Sequence, residues 1–115
     1  IEVNMNRITL EEVKAAYEKT GVKPRRSRMF FEDNHQIYCC GAGVIAYKDI
    51  GNACKLMGRS MSNLLEKYPE RYILGFVQGF DDIDIYYVCT KLINEEFKAG
   101  YEDGLAIGKA IFNEI

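Results

Sequence analysis

His35 and the four cysteines, Cys39, Cys40, Cys54 and Cys89, are the residues whose types most directly suggest chemistry. A thiolate activated by an imidazole is a nucleophile, and thiolates joined by an imidazole hold zinc. The spacing serves neither use well. Structural zinc sites take close pairs such as C-x-x-C, and two adjacent thiols do not readily point at one ion, so no metal site is expected. His35 falls in the polar run Asp33, Asn34, His35, Gln36, which reads as a surface turn. The cysteines are expected to be reduced thiols that pack as small apolar residues. No catalytic residue is assigned, and the balance lies against an enzyme.

Gly41-Ala42-Gly43-Val44-Ile45-Ala46 matches the dinucleotide pattern G-x-G-x-x-A and follows a short apolar run. A working fingerprint places a carboxylate at the end of a second strand about 20 residues on. That distance lands near Arg59 to Asn63, where there is no carboxylate and no strand pattern. A tightly packed buried helix is the simpler reading, and no cofactor is expected. Asp81, Asp82 and Asp84 look like half of a calcium loop but lack its glycine and closing glutamate. Aspartates at a junction between helices are more simply caps. Glu102 and Asp103 are read as the wet side of the last helix.

Ile50, Ala53, Cys54, Gly58, Ser60 and Leu64 partly match a helix-turn-helix. Lys55 and Arg59, with Arg25, Arg26 and Arg28 of the basic run that starts at Lys23, are the candidate nucleic-acid contacts. The recognition helix would carry Asn63, Glu66 and Lys67, a weakly basic set. The formal net charge of −2 also gives the chain no general pull on a polyanion. A small DNA-binding regulator is therefore the second choice for function.

With 115 residues, 48% hydrophobic and 28% charged, the sequence describes one ordinary globular domain spanning 1–115. Its apolar runs are too short to cross a bilayer, and no secretory leader is evident in a sequence that starts at Ile1. A cytoplasmic location without membrane contact is the expectation.

The elements that must position these residues follow from periodicity and punctuation. Thr9 with Glu12 forms a capping box, Leu10, Val13, Ala16 and Tyr17 keep helical spacing, and Gly21 and Pro24 end the run, so a first helix is predicted over 10–20. Met29 to Phe31 and Ile37 to Tyr38 flank the polar turn as a short hairpin. A buried helix is expected from Cys40 to about Lys48, a short one over 60–67, one opened by Pro69 and ending near Phe80, and a long one from Leu92 to the end. The segment 83–90 suits strand or helix equally.

One pattern occurs twice. Tyr72, Gly75, Phe76, Gly79, Phe80 is echoed 25 residues later by Phe97, Gly100, Tyr101, Gly104, Leu105, and Gly108 extends the second copy. Helical spacing sets a ridge of large residues beside a groove of glycines on each helix. Five glycines inside helices cost about 4–5 kcal/mol relative to alanine, and close approach of two backbones, ridge in groove, is the natural compensation. Within the copies, Gly75-Phe76-Val77-Gln78-Gly79-Phe80-Asp81 and Gly100-Tyr101-Glu102-Asp103-Gly104 resemble paired GFxxGFD and GYxDG motifs of small uncharacterised bacterial proteins. The resemblance covers about the last 40 residues; it implies a bacterial origin and no known activity.

The fold class expected is mainly α: a compact helical domain with a small β-hairpin and two close-packed, glycine-notched C-terminal helices. The leading functional expectation is a non-catalytic interaction or structural protein that self-associates, since a repeated ridge and groove suits a face made to meet a copy of itself. A protein partner or a homo-oligomer fits that expectation, and nucleic acid is disfavoured.

Overall fold

The computed structural model describes residues 5–28, 30–50, 62–88 and 90–113. Helix α1 spans Leu10–Thr20. The Thr9 side chain accepts a hydrogen bond from the Glu12 amide at its start, and Gly21 closes it in the left-handed region at φ 72°. Val13, Ala16 and Tyr17 form its buried face. Three short strands follow: β1 (Lys23–Pro24), β2 (Phe31–Asp33) and β3 (Gln36–Cys39). Strand β3 lies in the centre, antiparallel to β2 and parallel to β1, so the expected hairpin carries an additional strand.

Helix α2 (Gly41–Ile50) leaves the sheet directly and is buried from Gly41 through Ala46. Residues 62–65 are helical. Helix α3 (Glu70–Phe80) begins after Pro69, which sits at the N-cap position without a side-chain hydrogen bond, its carbonyl accepting from the Ile73 amide at 3.1 Å. The segment 83–90, which suited strand or helix equally, holds one 3₁₀ turn, Ile85–Tyr87, and a second, Thr90–Leu92, starts at its end and takes in Leu92, where the long helix was expected to begin. Helix α4 (Glu95–Asn113) then runs out the chain, its first turn held by the Asn94 side chain, which accepts from the Phe97 amide at 2.8 Å. Among the described residues no helix is long and apolar enough to cross a membrane.

The protein is thus mainly helical, and α3 and α4 are packed backbone to backbone. A Cβ placed on Gly75 would lie 2.1 Å from the Phe97 carbonyl oxygen, and one on Gly79 2.2 Å from that of Tyr101. Reciprocally, a Cβ on Gly100 would lie 2.0 Å from the Tyr72 oxygen, and one on Gly104 2.1 Å from that of Phe76. Numbers rise together on both helices, so the pair is parallel. Positions 25 apart exchange roles across it, which gives the pair a local pseudo-two-fold axis along the helices.

A carbon–carbon bond spans about 1.5 Å, so each of these four glycine Cα atoms lies no more than about 3.7 Å from a carbonyl oxygen. This is the geometry of a Cα–H···O contact, a weak bond of about 0.5–1 kcal/mol. Four such bonds, with the dispersion of two backbones in contact, offset most of the cost of placing glycine in a helix.

The expected ridge-in-groove fit needs one correction. The notches receive the partner's backbone, whereas the aromatic ridge of α3 turns the other way. Tyr72, Phe76 and Phe80 are fully buried, and their rings form a column with successive centroids 6.3 Å apart. A methyl on Gly41 would sit 3.0 Å from the Phe80 ring and 3.1 Å from the Phe76 ring, so α2 also has its glycine where a ring needs room.

Candidate functional site

The hairpin turn builds the site. Asn34 and His35 both adopt positive φ, 49° and 69°, the combination of a two-residue type I′ turn that suits the twist of its strands. It sets Phe31 opposite Tyr38, Glu32 opposite Ile37 and Asp33 opposite Gln36. Side chains alternate along a strand. Cys39 is buried and Ile37 packs on the core, so Tyr38 and its partner Phe31 lie on the outer face, half-exposed, their rings 6.2 Å apart. Lys23 of β1 pairs with Tyr38 and joins that face.

The loop 25–28 arches across the end of this sheet and is fixed at both feet. The Arg25 amide donates to the Cys39 carbonyl at 3.1 Å, and the Cys40 amide donates to the Arg28 carbonyl at 2.8 Å. At its crown, Ser27 takes φ 65° and its amide donates to Asp81 Oδ1 at 2.7 Å. Arg26 turns inward: its Nε donates to the Phe80 carbonyl at the C-terminal end of α3, and its guanidinium lies 4.1 Å over the Phe112 ring. That is where the helix dipole favours a cation.

Arg25 and Arg28 turn outward and are exposed. The Arg25 guanidinium stands 4.3 Å over Phe31 and 5.8 Å from the Tyr38 ring, and that of Arg28 5.5 Å from Phe31. Among the described residues neither forms an ion pair or a side-chain hydrogen bond, in contrast to Arg7 with Asp103, Lys67 with Asp49 and Lys98 with Glu95. Each therefore presents five unused donors within cation–π distance of a ring. Asp33, at the turn end of β2, bounds the face on its acidic side.

The other predicted residues fall elsewhere. Lys55, Arg59, Cys54, Cys89 and most of the helix-turn-helix segment lie outside the described residues. Tyr72, Gly75, Phe76, Gly79, Phe80, Phe97, Gly100, Tyr101, Gly104 and Gly108 all belong to the α3–α4 pair within one chain. The Tyr101 hydroxyl reaches out to donate to the Ile83 carbonyl at 2.7 Å.

Cys39 and Cys40 are buried free thiols. Burial, with the neighbouring thiol, pushes Cys39 up to about 12, and burial pushes Cys40 up to about 11, although the Gly43 amide donates to its sulfur at 3.4 Å. Such thiols stay protonated near neutrality and are poor nucleophiles. His35 is exposed at the hairpin tip. The amides that open α2 are likewise committed, Gly43 to Cys40 Sγ and Val44 to the Cys40 carbonyl. With the Phe76 and Phe80 rings against Gly41, no phosphate can approach this helix start. No strand follows α2 among the described residues.

Asp84 does cap, accepting from the Tyr86 amide at 3.0 Å, whereas Asp81 serves the loop of the arginines. No group of three or more metal-binding side chains occurs among the described residues. Asp103, read from sequence as solvent-facing, is part-buried. It holds Arg7 through two hydrogen bonds of 2.9 and 2.8 Å and accepts from the Tyr72 hydroxyl at 2.6 Å, which in turn accepts from the Ile8 amide at 2.7 Å. This network straps the chain before α1 across the helix pair. The sequence signal for the outer face was the run of arginines followed by Phe31; the role of the rings depends on the register of β3, which spacing alone does not give.

Comparison of the chain with protein-family models, curated proteins and solved structures gives no match.

Proposed function

We propose that the protein is a non-catalytic interaction protein that takes an anionic partner on the outer face of its sheet. One observation carries this reading: Arg25 and Arg28, exposed and without a carboxylate among the described residues, are held in place on Phe31 and Tyr38. An arginine stacked on a ring has already lost part of its rotamer freedom, so an anion that binds it orders less. The groups that sequence offered for catalysis are poorly suited to it, since the described thiols are buried and burial disfavours their thiolate form.

A heparin oligosaccharide, a polyanion with no sequence to read, tests this by nuclear magnetic resonance. At about 50 mM salt, amide shifts are expected to concentrate in residues 23–38 and to fade as salt screens the charges. Shifts confined to other regions, or none, overturn the proposal.

Self-association is a second and separate proposal. The glycine faces that suggested it close on each other inside one chain, so a dimer has to use another surface. A light-scattering mass of 13.2 kDa, that of one chain, removes it.

A further inference from the structure

We infer that the anionic partner is single-stranded nucleic acid, with bases stacked on the Arg25–Phe31–Tyr38 platform and phosphates held by Lys23, Arg25 and Arg28. The inference rests on the anionic-partner proposal and adds the chemistry of the ligand.

Charge alone would admit any polyanion; the rings narrow the choice. The exposed Arg25 guanidinium lies 4.3 Å over the Phe31 ring, with the partly exposed Tyr38 ring 6.2 Å from Phe31, so a guanidinium and two rings share one face. Guanidinium planes and aromatic rings are the surfaces on which unpaired bases stack. An acidic peptide, or one phosphorylated on serine or threonine, has no use for such a plane unless it also carries an aromatic side chain. Phe31 and Tyr38 are also half-buried in a sheet face and do not project from it, so they cannot enter the groove of a duplex. Bases must come out to them, as those of a single strand do. The cations flank the rings, Lys23 on the strand beside Tyr38 and Arg28 at the far foot of the loop, so a backbone crossing the face meets charge on both sides of the stack. Of the nearby carboxylates, Asp33 shares this face at the turn end, Glu32 is exposed on the strand beside Phe31, and Asp81 is turned to the Ser27 amide, so Lys23, Arg25 and Arg28 outnumber the one carboxylate on the face.

The probe is a labelled ten-residue oligothymidylate, followed by fluorescence anisotropy from 20 to 200 mM salt beside a labelled hairpin with a ten-pair G·C-rich stem, which stays paired throughout that range. The single strand is expected to bind more tightly than the duplex. Each neutralised phosphate contributes about −0.7 to the slope of log K against log salt for a single strand, so two or three cations give a slope of about −1.4 to −2.1. The double variant Arg25→Ala/Arg28→Ala should weaken binding at least tenfold and lose about 1.4 of that slope.

Phe31→Leu separates stacking from charge. It should weaken oligothymidylate at least fivefold and leave the salt slope unchanged, whereas heparin, which loses only the ordering of the two arginines on the ring, should weaken less than twofold. Circular dichroism of each variant confirms that it is folded. Equal binding of duplex and single strand, or a Phe31→Leu variant that binds oligothymidylate as the parent does, overturns the inference and leaves the anionic-partner proposal standing. Failure of both oligothymidylate and heparin to bind removes both.

Discussion

Asp81 shows how one side chain can hold a site and cost stability at the same time. It follows the C-terminal end of α3, where the helix dipole disfavours an anion, and burial raises its pKa although the Ser27 amide and Arg26 oppose the shift. A carboxyl group raised in the folded state contributes stability that is complete below its unfolded value of about 3.9 and is lost as pH rises through the folded value. Asp81→Asn keeps an oxygen acceptor for Ser27 without the charge. Its melting temperature is therefore expected to equal or exceed that of the parent at pH 7, with the advantage gone by pH 3. A variant several degrees less stable at pH 7 would show that the charge is needed to hold the loop. This residue was legible as a cap and not as the anchor of a distant loop, because its partner is 54 positions away. Asp103 was misread for the same reason: helical spacing places a residue on a side of its own helix and says nothing of Arg7 arriving from the other end of the chain.

The helices were the most legible elements, since each is set by contacts within its own segment. Thr9, Glu12 and Gly21 mark the two ends of α1 in the sequence, and the structure uses Thr9 and Gly21 there. Strand β1 carried no such signal. It is two residues long and contains a proline, and it exists because β3 presents a free edge beside it. The turns over 85–92 were illegible because β-branched and aromatic residues fit several backbone forms. The glycine pair tests how far local rules reach. Local propensity says that Gly100→Ala and Gly104→Ala gain about 1 kcal/mol each. The approach of the Tyr72 and Phe76 carbonyls says that the helices must move apart, at a net cost expected to exceed about 2 kcal/mol. At Gly108 the nearest carbonyl would be 2.9 Å from a Cβ, so Gly108→Ala should cost less than half as much. Urea unfolding of the three variants gives the order directly, and three equal costs would contradict the reported register of the two helices.

For the whole molecule, the division of labour follows from where backbone and side chains are spent. The α3–α4 pair is fastened by main chain and leaves its rings to the core, and the loop 25–28 is tied to the end of α3 through Arg26 and Ser27. The outer face of the sheet thus stands on the most constrained part of the fold. Sequence conveyed the scaffold better than the face, since a platform of rings and arginines is made by pairing three segments that are separate in the chain.

The pseudo-two-fold relation between α3 and α4 has a consequence for specificity of assembly. An interface whose halves are equivalent cannot distinguish α3–α4 from α4–α4, so nothing at the glycine contacts themselves forbids helices of two molecules from pairing. What selects the intramolecular pair is the connection 81–94, which by tethering α4 supplies it to α3 at an effective concentration on the order of millimolar. Cutting that tether removes the selection. A chain cleaved within 81–94 is expected to hold its two pieces together at high concentration and to release α4 on dilution, as a binding equilibrium in place of a fold.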